Sequence, residues 1–582
     1  MKPKRAGAGH VIVVLLAVTQ IVVGQPAAGD AAPGSGSPTF RSRANLVVVP
    51  VIVRGESGNA IGNLRREDFQ LFDKGKRQQI TQFSAETPRP PLQPVKTLSV
   101  KSITVPDVST GRERPPFIRP SRYVAYVFDD INLSFADLAW SRNGAERNTR
   151  TLSSTDRAAI FTTSGRTALE FTDDRDKLDE ALLQLRPSPL ARETVQTCPA
   201  ITYYMADMIL NGPLPSRDPN SGDSGNPALD AAVLDVKACR HLGSGDKSDA
   251  PEMARAAARQ TLAAGDYETE VAIATLKQIV RRMGAIPGER MVVLLSPGFV
   301  TSAEFLPSLN DVVDYATRLN VTINALDAHG LYTDALDIDK QERDARATQI
   351  GQQLGRSSAL AQRQSLAVLT EGSGGRLIER TNDIDSGLRQ IASPPEYVYM
   401  LGFSPRDLRP DGAFHPLKVT LTTKGKYAIQ ARRGYFATRM FTDPQEAEKE
   451  EIEQALFAPD DIRDPAVETR TEYFKSPDGH AELNVLTHLD VRLLRLLKTG
   501  GRNANDVTVV ACVLDHNGAW VDGKRNAVKL RLRDATVERM QGSGMTVKNT
   551  FNVPSGQYAV RTVVRDANGG LMSAESTVVE IP

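Results

Sequence analysis

The segment YVAYVFDDINLSF, residues 123–135, constrains the fold more than any other. Six consecutive apolar residues, Tyr123 to Phe128, run without alternation into two aspartates. A strand that is apolar on both faces must be covered on both faces, as in a parallel sheet sandwiched between helices. The chain around it fits that demand. From Tyr123 to about Ile391, strand-like runs at residues 123–128, 158–163, 291–296 and 321–326 alternate with helical patterns. The segment TDDRDKLDEALLQL places Leu178, Ala181, Leu182 and Leu185 on one helical face, and EVAIATLKQIVRRMG does the same with Ala272, Leu276, Ile279 and Met283. The expected fold class is α/β, with a mainly parallel sheet between helical layers.

In such a sheet, ligands gather where loops converge at the carboxyl ends of the strands. Asp130, Asn132 and Ser134 alternate just past such an end, and Thr172 and Asp173 precede another helix. A hard cation such as Mg²⁺ takes oxygen ligands and keeps several waters, so few protein groups suffice. The competing expectation is that Asp129 and Asp130, helped by Ser134, cap the free N–H groups of the following helix.

At 582 residues the chain is too long for one core, and about two to four domains are expected. Residues 1–24 read as a secretory signal: Lys2, Lys4 and Arg5 precede an apolar core from Val11 to Val23, too short to favour a spanning helix. An uncleaved anchor is the alternative. Residues 25–40 form a Pro/Gly/Ala/Ser-rich leader, 41–90 a β segment and 91–120 a Pro-rich connector. The α/β region follows over 121–394, with a polar helical insert at 186–260. A second β segment spans 395–437, an acidic helical linker 438–464, and a C-terminal β-sandwich 465–582. Pro50 marks its strand as an edge or bulged strand, and Asp73-Lys74-Gly75 as a hairpin turn. The 45–85 and 395–436 segments are expected to pair into one sandwich with the α/β region inserted between them.

Charge is balanced, with 71 Lys+Arg against 70 Asp+Glu, which gives no support to nucleic-acid binding. No second apolar run is long enough to span a bilayer, so the mature protein is expected to be exported, periplasmic or extracellular. Cys198 and Cys239 bracket one polar segment. In an oxidising compartment their bridge would add on the order of 4 kcal/mol, and buried free thiols are the alternative. No CxxC or HExxH occurs. Of the scattered histidines, His329 in LDAHGL is placed at a strand end, where the expected role is a plain loop residue and the alternative a cleft-facing one. SGDSGNP, residues 221–227, looks like a protease nucleophile loop but lacks a histidine context, and a catalytic serine needs a placed base.

The ordered run FDDINLS, STDRAAIFTTSGRTALEFTDDRDKL, MVVLLSPGF, VTINALDAHGL and LTEGSGGRLIERTND resembles a von Willebrand factor type A domain. With its flanks, NLVVVPVIVRGESGNAIGNLRREDFQLFDKGKRQQITQFS and YMLGFSP…ARRGYFA, it resembles the secreted VWFA-related proteins common in acidobacteria, over residues 40–436. The resemblance implies a Rossmann-like type A domain flanked by β-sandwich elements, with an Ig-like sandwich following outside its reach. It also implies a metal-ion-dependent adhesion site. Asp130 matches the first Asp, Asn132 stands for the first Ser, Ser134 matches the second Ser and Thr172 the Thr, with Asp129 as an alternative leading acid and Asp173 beside it. The final Asp falls at Pro297, which has no side-chain oxygen, so the site is degenerate. The implied function is non-enzymatic, adhesion-type binding of a protein ligand through Mg²⁺, Mn²⁺ or Ca²⁺. The alternative is a metal-free structural or assembly module of the cell envelope.

Overall fold

The structure is a computed structural model. It describes residues 47–56, 58–86, 120–190, 198–212, 225–241, 249–300, 304–328, 345–379, 381, 383–393, 397–405, 413–423, 425–437, 443–457, 461–464, 467–476 and 479–582. The signal, the leader, most of the connector, His329 and most of the SGDSGNP loop lie outside them.

Arg122–Phe128 is buried along its whole length, as its unbroken apolar composition demands. It lies at the centre of a six-stranded sheet with Asp156–Thr162 on one side and Glu289–Ser296 on the other, both parallel. Val321–Asp327 and Leu377–Ile378 extend the parallel sheet, and Ala168–Thr172 closes the far edge antiparallel to Asp156–Thr162. One apolar cluster joins Ala125, Val127, Val292 and Leu294 to Leu276, Val280, Leu309 and Leu366. The other joins Val124, Tyr126, Phe128 and Val293 to Leu138, Leu178, Leu182 and Leu388.

The helix Ala250–Gly284 has 35 residues, about 52 Å at the α-helical rise. Its second half packs on the sheet, and its end feeds the amino end of Glu289–Ser296. Its first half therefore extends past the carboxyl rim, where Ala250 and Ala254 meet Leu229, Ala232 and Val236 of the helix Pro227–Cys239. A Cys198–Cys239 disulfide ties this helical insert together. The expected insert boundary at residue 260 falls inside this one continuous helix, because its apolar stripe serves both the insert and the sheet.

Two small antiparallel sheets flank the α/β region. Val47–Arg54 lies between Val398–Phe403 and Ala428–Ala431, and Phe69–Asp73 pairs with Phe414–Leu421. Strands from both sides of the α/β region thus share one core, with Val49, Val51, Leu71, Tyr399, Leu401 and Phe403 at its centre. The Val47–Arg54 strand is internal and its register with Val398–Phe403 runs through Pro50 without a shift, contrary to the edge or bulged strand expected there. Pro50 opposes Met400 on one side, and pairing on the other begins only at Val51, so its missing N–H costs no ladder bond there. Lys74 and Gly75 both have positive φ, 48° and 77°, as a two-residue hairpin turn requires.

Beyond residue 461 the chain forms two antiparallel sheets. One is built on Arg502–Asp515, Gly556–Asp566, Leu571–Ile581 and Trp520–Leu532, the other on Val467–Lys475, His480–Leu489 and Met545–Pro554. Leu483, Val485, Val513, Phe551, Val560 and Ile581 form a core shared by both. The acidic helix Pro444–Leu456 is not a free linker. Ile452, Ala455 and Leu456 are buried against this domain, and the Ala455 carbonyl accepts from the Arg561 guanidinium at 2.9 Å.

The amino end of the parallel sheet rests on the C-terminal domain. Arg157 donates to the His516 carbonyl at 3.0 Å, and Arg290 to the Phe457 carbonyl at 2.7 Å. Beside them Arg122 and Asp156 form a buried two-bond ion pair, 3.1 Å at each contact. Among the described residues, no helix is long and apolar enough to cross a membrane.

Candidate functional site

Parallel pairing sets the level of each residue at the rim. Phe128 lies opposite Thr162 on one neighbour and Leu295 on the other. The next residues, Asp129, Thr163 and Ser296, therefore fall side by side. The Ser296 hydroxyl donates to Asp129 at 2.6 Å and the Thr163 hydroxyl at 2.8 Å, while the Asn132 amide bridges both carboxylate oxygens at 3.1 Å. Asp130 accepts from the Ser164 hydroxyl at 2.5 Å and its backbone N–H at 2.9 Å, and from Thr163 at 3.3 Å. The Asp130 carbonyl accepts from the Ser188 N–H at 2.7 Å, tying the 186–190 loop to the rim. The Leu190 N–H then donates to Glu268, at the root of the helical insert.

The two carboxylates are 0% and 1% exposed. Burial holds both carboxyls above the ordinary carboxylate range, partly offset at Asp129 by the Ser296, Thr163 and Asn132 hydrogen bonds and at Asp130 by those from Ser164. The negative charge of Asp130 pushes Asp129 further in the same direction.

Ser134 is a helix cap. Its hydroxyl oxygen accepts from the Asp137 N–H at 3.2 Å and its proton goes to the Asp137 carboxylate at 2.6 Å. The next residue, Phe135, projects from the rim with 69% of its surface exposed.

Thr172 and Asp173 do not join this group. Thr172 pairs with Ala158, which in turn pairs with Val124, four residues below Phe128. That places Thr172 about 13 Å down the sheet, towards the amino end. Its hydroxyl accepts from the Asp174 N–H at 3.1 Å, and Asp173 pairs with Arg157 at 3.0 Å, beside the domain junction. The cause is the edge strand's direction: the chain reverses within the short Ser164–Gly165 turn, so Thr172 returns to the end from which Asp156 started.

The set Asp130, Asn132, Ser134 and Thr172 thus does not fit a single cation. Asn132 turns its NH₂ toward Asp129, Ser134 is spent on its helix, and Thr172 is remote. Among the described residues, no three His, Cys, Asp or Glu side chains converge in a way that could hold a metal. What the rim does hold is a buried acid pair lined by Thr163, Ser164 and Ser296, with Ser188 beneath it. Sequence reasoning missed these four. Their signal was present: IFTTSG and VLLSPG both end apolar strands in hydroxyl residues, as FDD ends in acids. Pro297, taken as the position of the final acid, lies one residue past the Ser296 level.

No protein-family model matches the chain, and no curated protein matches it. Solved structures show only faint similarity, and three of them illustrate it. A β-glucuronidase from glycoside hydrolase family 2 is 14% identical over 19% of this chain and 11% of its own, with a TM-score of 0.14. A glycosyl hydrolase family 2 member from Bacteroides cellulosilyticus is 14% identical over 28% of this chain and 21% of its own, with a TM-score of 0.15. Dimeric latent PorU from Porphyromonas gingivalis is 13% identical over 32% of this chain and 14% of its own, with a TM-score of 0.12. The chain thus spans about a fifth or less of the length of each, and overlaps this small carry no argument about fold or activity.

Proposed function

We propose that this is an exported, non-enzymatic protein-binding module of the VWFA-related kind, in which a type A domain presents its carboxyl rim to a protein partner without a bound cation. The observation that carries the reading is the internal saturation of the rim acids. Every hydroxyl at the Asp129–Asp130 level donates to a carboxylate, so the loops are held by their own hydrogen bonds. Exposed Phe135 beside them offers an apolar anchor of the aromatic kind enriched at protein–protein interfaces. The Cys198–Cys239 bridge supports an oxidising location, periplasmic or extracellular.

The test is retention of partners from envelope extracts on the immobilised chain, with and without chelator. Capture that is insensitive to chelator and lost on Phe135→Ser, with folding intact, supports the reading. Capture that needs a divalent cation contradicts it.

A second reading keeps the cation. Two adjacent buried carboxyls shifted upward carry a charge cost that Mg²⁺, Mn²⁺ or Ca²⁺ would relieve, with Asp129 and Asp130 as ligands and Thr163, Ser164 and Ser296 around them. The cation would supply an open coordination position for a partner's carboxylate. The two readings differ in whether added cation stabilises the fold.

A further inference from the structure

We propose that the end of the C-terminal sandwich remote from the α/β region is a peripheral docking tip for an anionic lipid surface. The strand Arg502–Asp515 fixes the geometry. At its Asp515 end, the turn bearing His516 and Gly518 rests on Arg157 and Tyr123. Its Arg502 end lies about 40 Å away at the rise of an extended strand, so it points away from the parallel sheet.

Residues 491–502 cross that far end. Val491 and Leu494 turn inward and are buried, whereas Leu493 and Leu497 turn outward and are 44% and 45% exposed. Between and beside them stand Arg492, Arg495, Lys498, Arg502, Arg531 and Arg533. Arg492, Lys498 and Arg531 have acidic partners in Asp490, Asp534 and Asp506. Arg495, Arg502 and Arg533 have none among the described residues.

The strand ladder ends at this tip with Asn503 opposite Leu532, and Arg502 and Arg533 follow just past it with no acidic partner among the described residues to neutralise them. A surface of lipid phosphates would do so, while the two outward leucines enter the headgroup boundary. The tip is firmly built for such a role: buried Asp566 accepts from the Arg495 N–H at 2.9 Å and from the Asn505 amide at 2.8 Å. Exposed leucines among cations suit a lipid surface, whose acyl boundary takes the apolar side chains while its phosphates take the charges, better than a polyanionic chain that offers charge alone.

The experiment is co-sedimentation of the full chain with vesicles. Binding is expected to vesicles of equal parts phosphatidylglycerol and phosphatidylcholine and not to phosphatidylcholine alone. Arg495→Gln/Arg502→Gln/Arg533→Gln is expected to weaken that binding about a hundredfold, and Leu493→Ser/Leu497→Ser about tenfold, with unchanged thermal unfolding. In the unmodified protein the binding is expected to weaken as salt rises. Absence of binding to the anionic vesicles overturns the proposal. So does binding that ignores the leucines and is displaced completely by soluble polyglutamate, which would mark a site for an acidic protein.

Discussion

The Ser296 hydroxyl donates to the Asp129 carboxylate at 2.6 Å, joining the ends of two adjacent parallel strands inside a fully buried site. This bond favours the ionised form of Asp129 and partly offsets the burial that disfavours it. Ser296→Ala leaves Asp129 one donor short, and the expected cost is about 1–3 kcal/mol of unfolding free energy, read by urea denaturation. Ser296→Thr, which keeps the hydroxyl, is expected to recover part of it.

Because burial raises the carboxyls of Asp129 and Asp130, both groups favour the folded state most when protonated. Their contribution is fully present below the unfolded value of 3.8 and is lost as pH rises through the raised folded values. Urea denaturation across the acidic range is expected to show stability falling over that window in the parent chain, and a flatter profile in Asp129→Asn/Asp130→Asn. A parent profile that rises over the same window faster than the variant's would refute the assignment.

The domain junction depends on a glycine. A Cβ at Gly518 would meet the Tyr123 hydroxyl at 1.9 Å, and its φ of 83° is one that L side chains rarely adopt. Gly518→Ala is expected to loosen the contact between the parallel sheet and the C-terminal domain, at a cost of about 1–3 kcal/mol from strain and overpacking together. Gly479→Ala, also at positive φ but with open space around it, is the control for backbone strain alone and should cost about 1–2 kcal/mol while leaving the junction intact.

The Cys198–Cys239 bridge closes a loop with a sequence separation of 41. Cys198→Ser/Cys239→Ser is expected to lower the stability of the helical insert by up to about 4 kcal/mol. Hydrogen exchange should show the loss concentrated in Tyr203–Leu210 and Pro227–Cys239, with the central strands unaffected.

Much of the architecture was legible because its signals are local. Tyr123–Phe128 could be read as a doubly covered strand from its six apolar residues, and the stripes of Leu178–Leu182 and Leu276–Met283 marked the covering helices. Levels across the sheet were not legible, since they depend on partner strands far away in sequence. Thr172 shows this best. A parallel return needs a crossover of a dozen or more residues, and the few between Thr162 and Ala168 allow only a hairpin. Strand direction, applied to TTSGRTALEFT, would have moved Thr172 away from the rim before any motif was matched. The acidic helix Pro444–Leu456 was misjudged because glutamates dominate its composition. Its burial rests on Ile452, Ala455 and Leu456, one short stripe on an otherwise charged surface.

The most direct test of a cation-free rim is the thermal unfolding midpoint of the full chain, titrated with Mg²⁺, Mn²⁺ and Ca²⁺ beside an Asp130→Asn variant. The account predicts midpoints that stay constant across the titration in both proteins. A saturating rise in the parent chain that disappears in Asp130→Asn would contradict it, because only an ion bound to the folded state at that carboxylate produces such a shift.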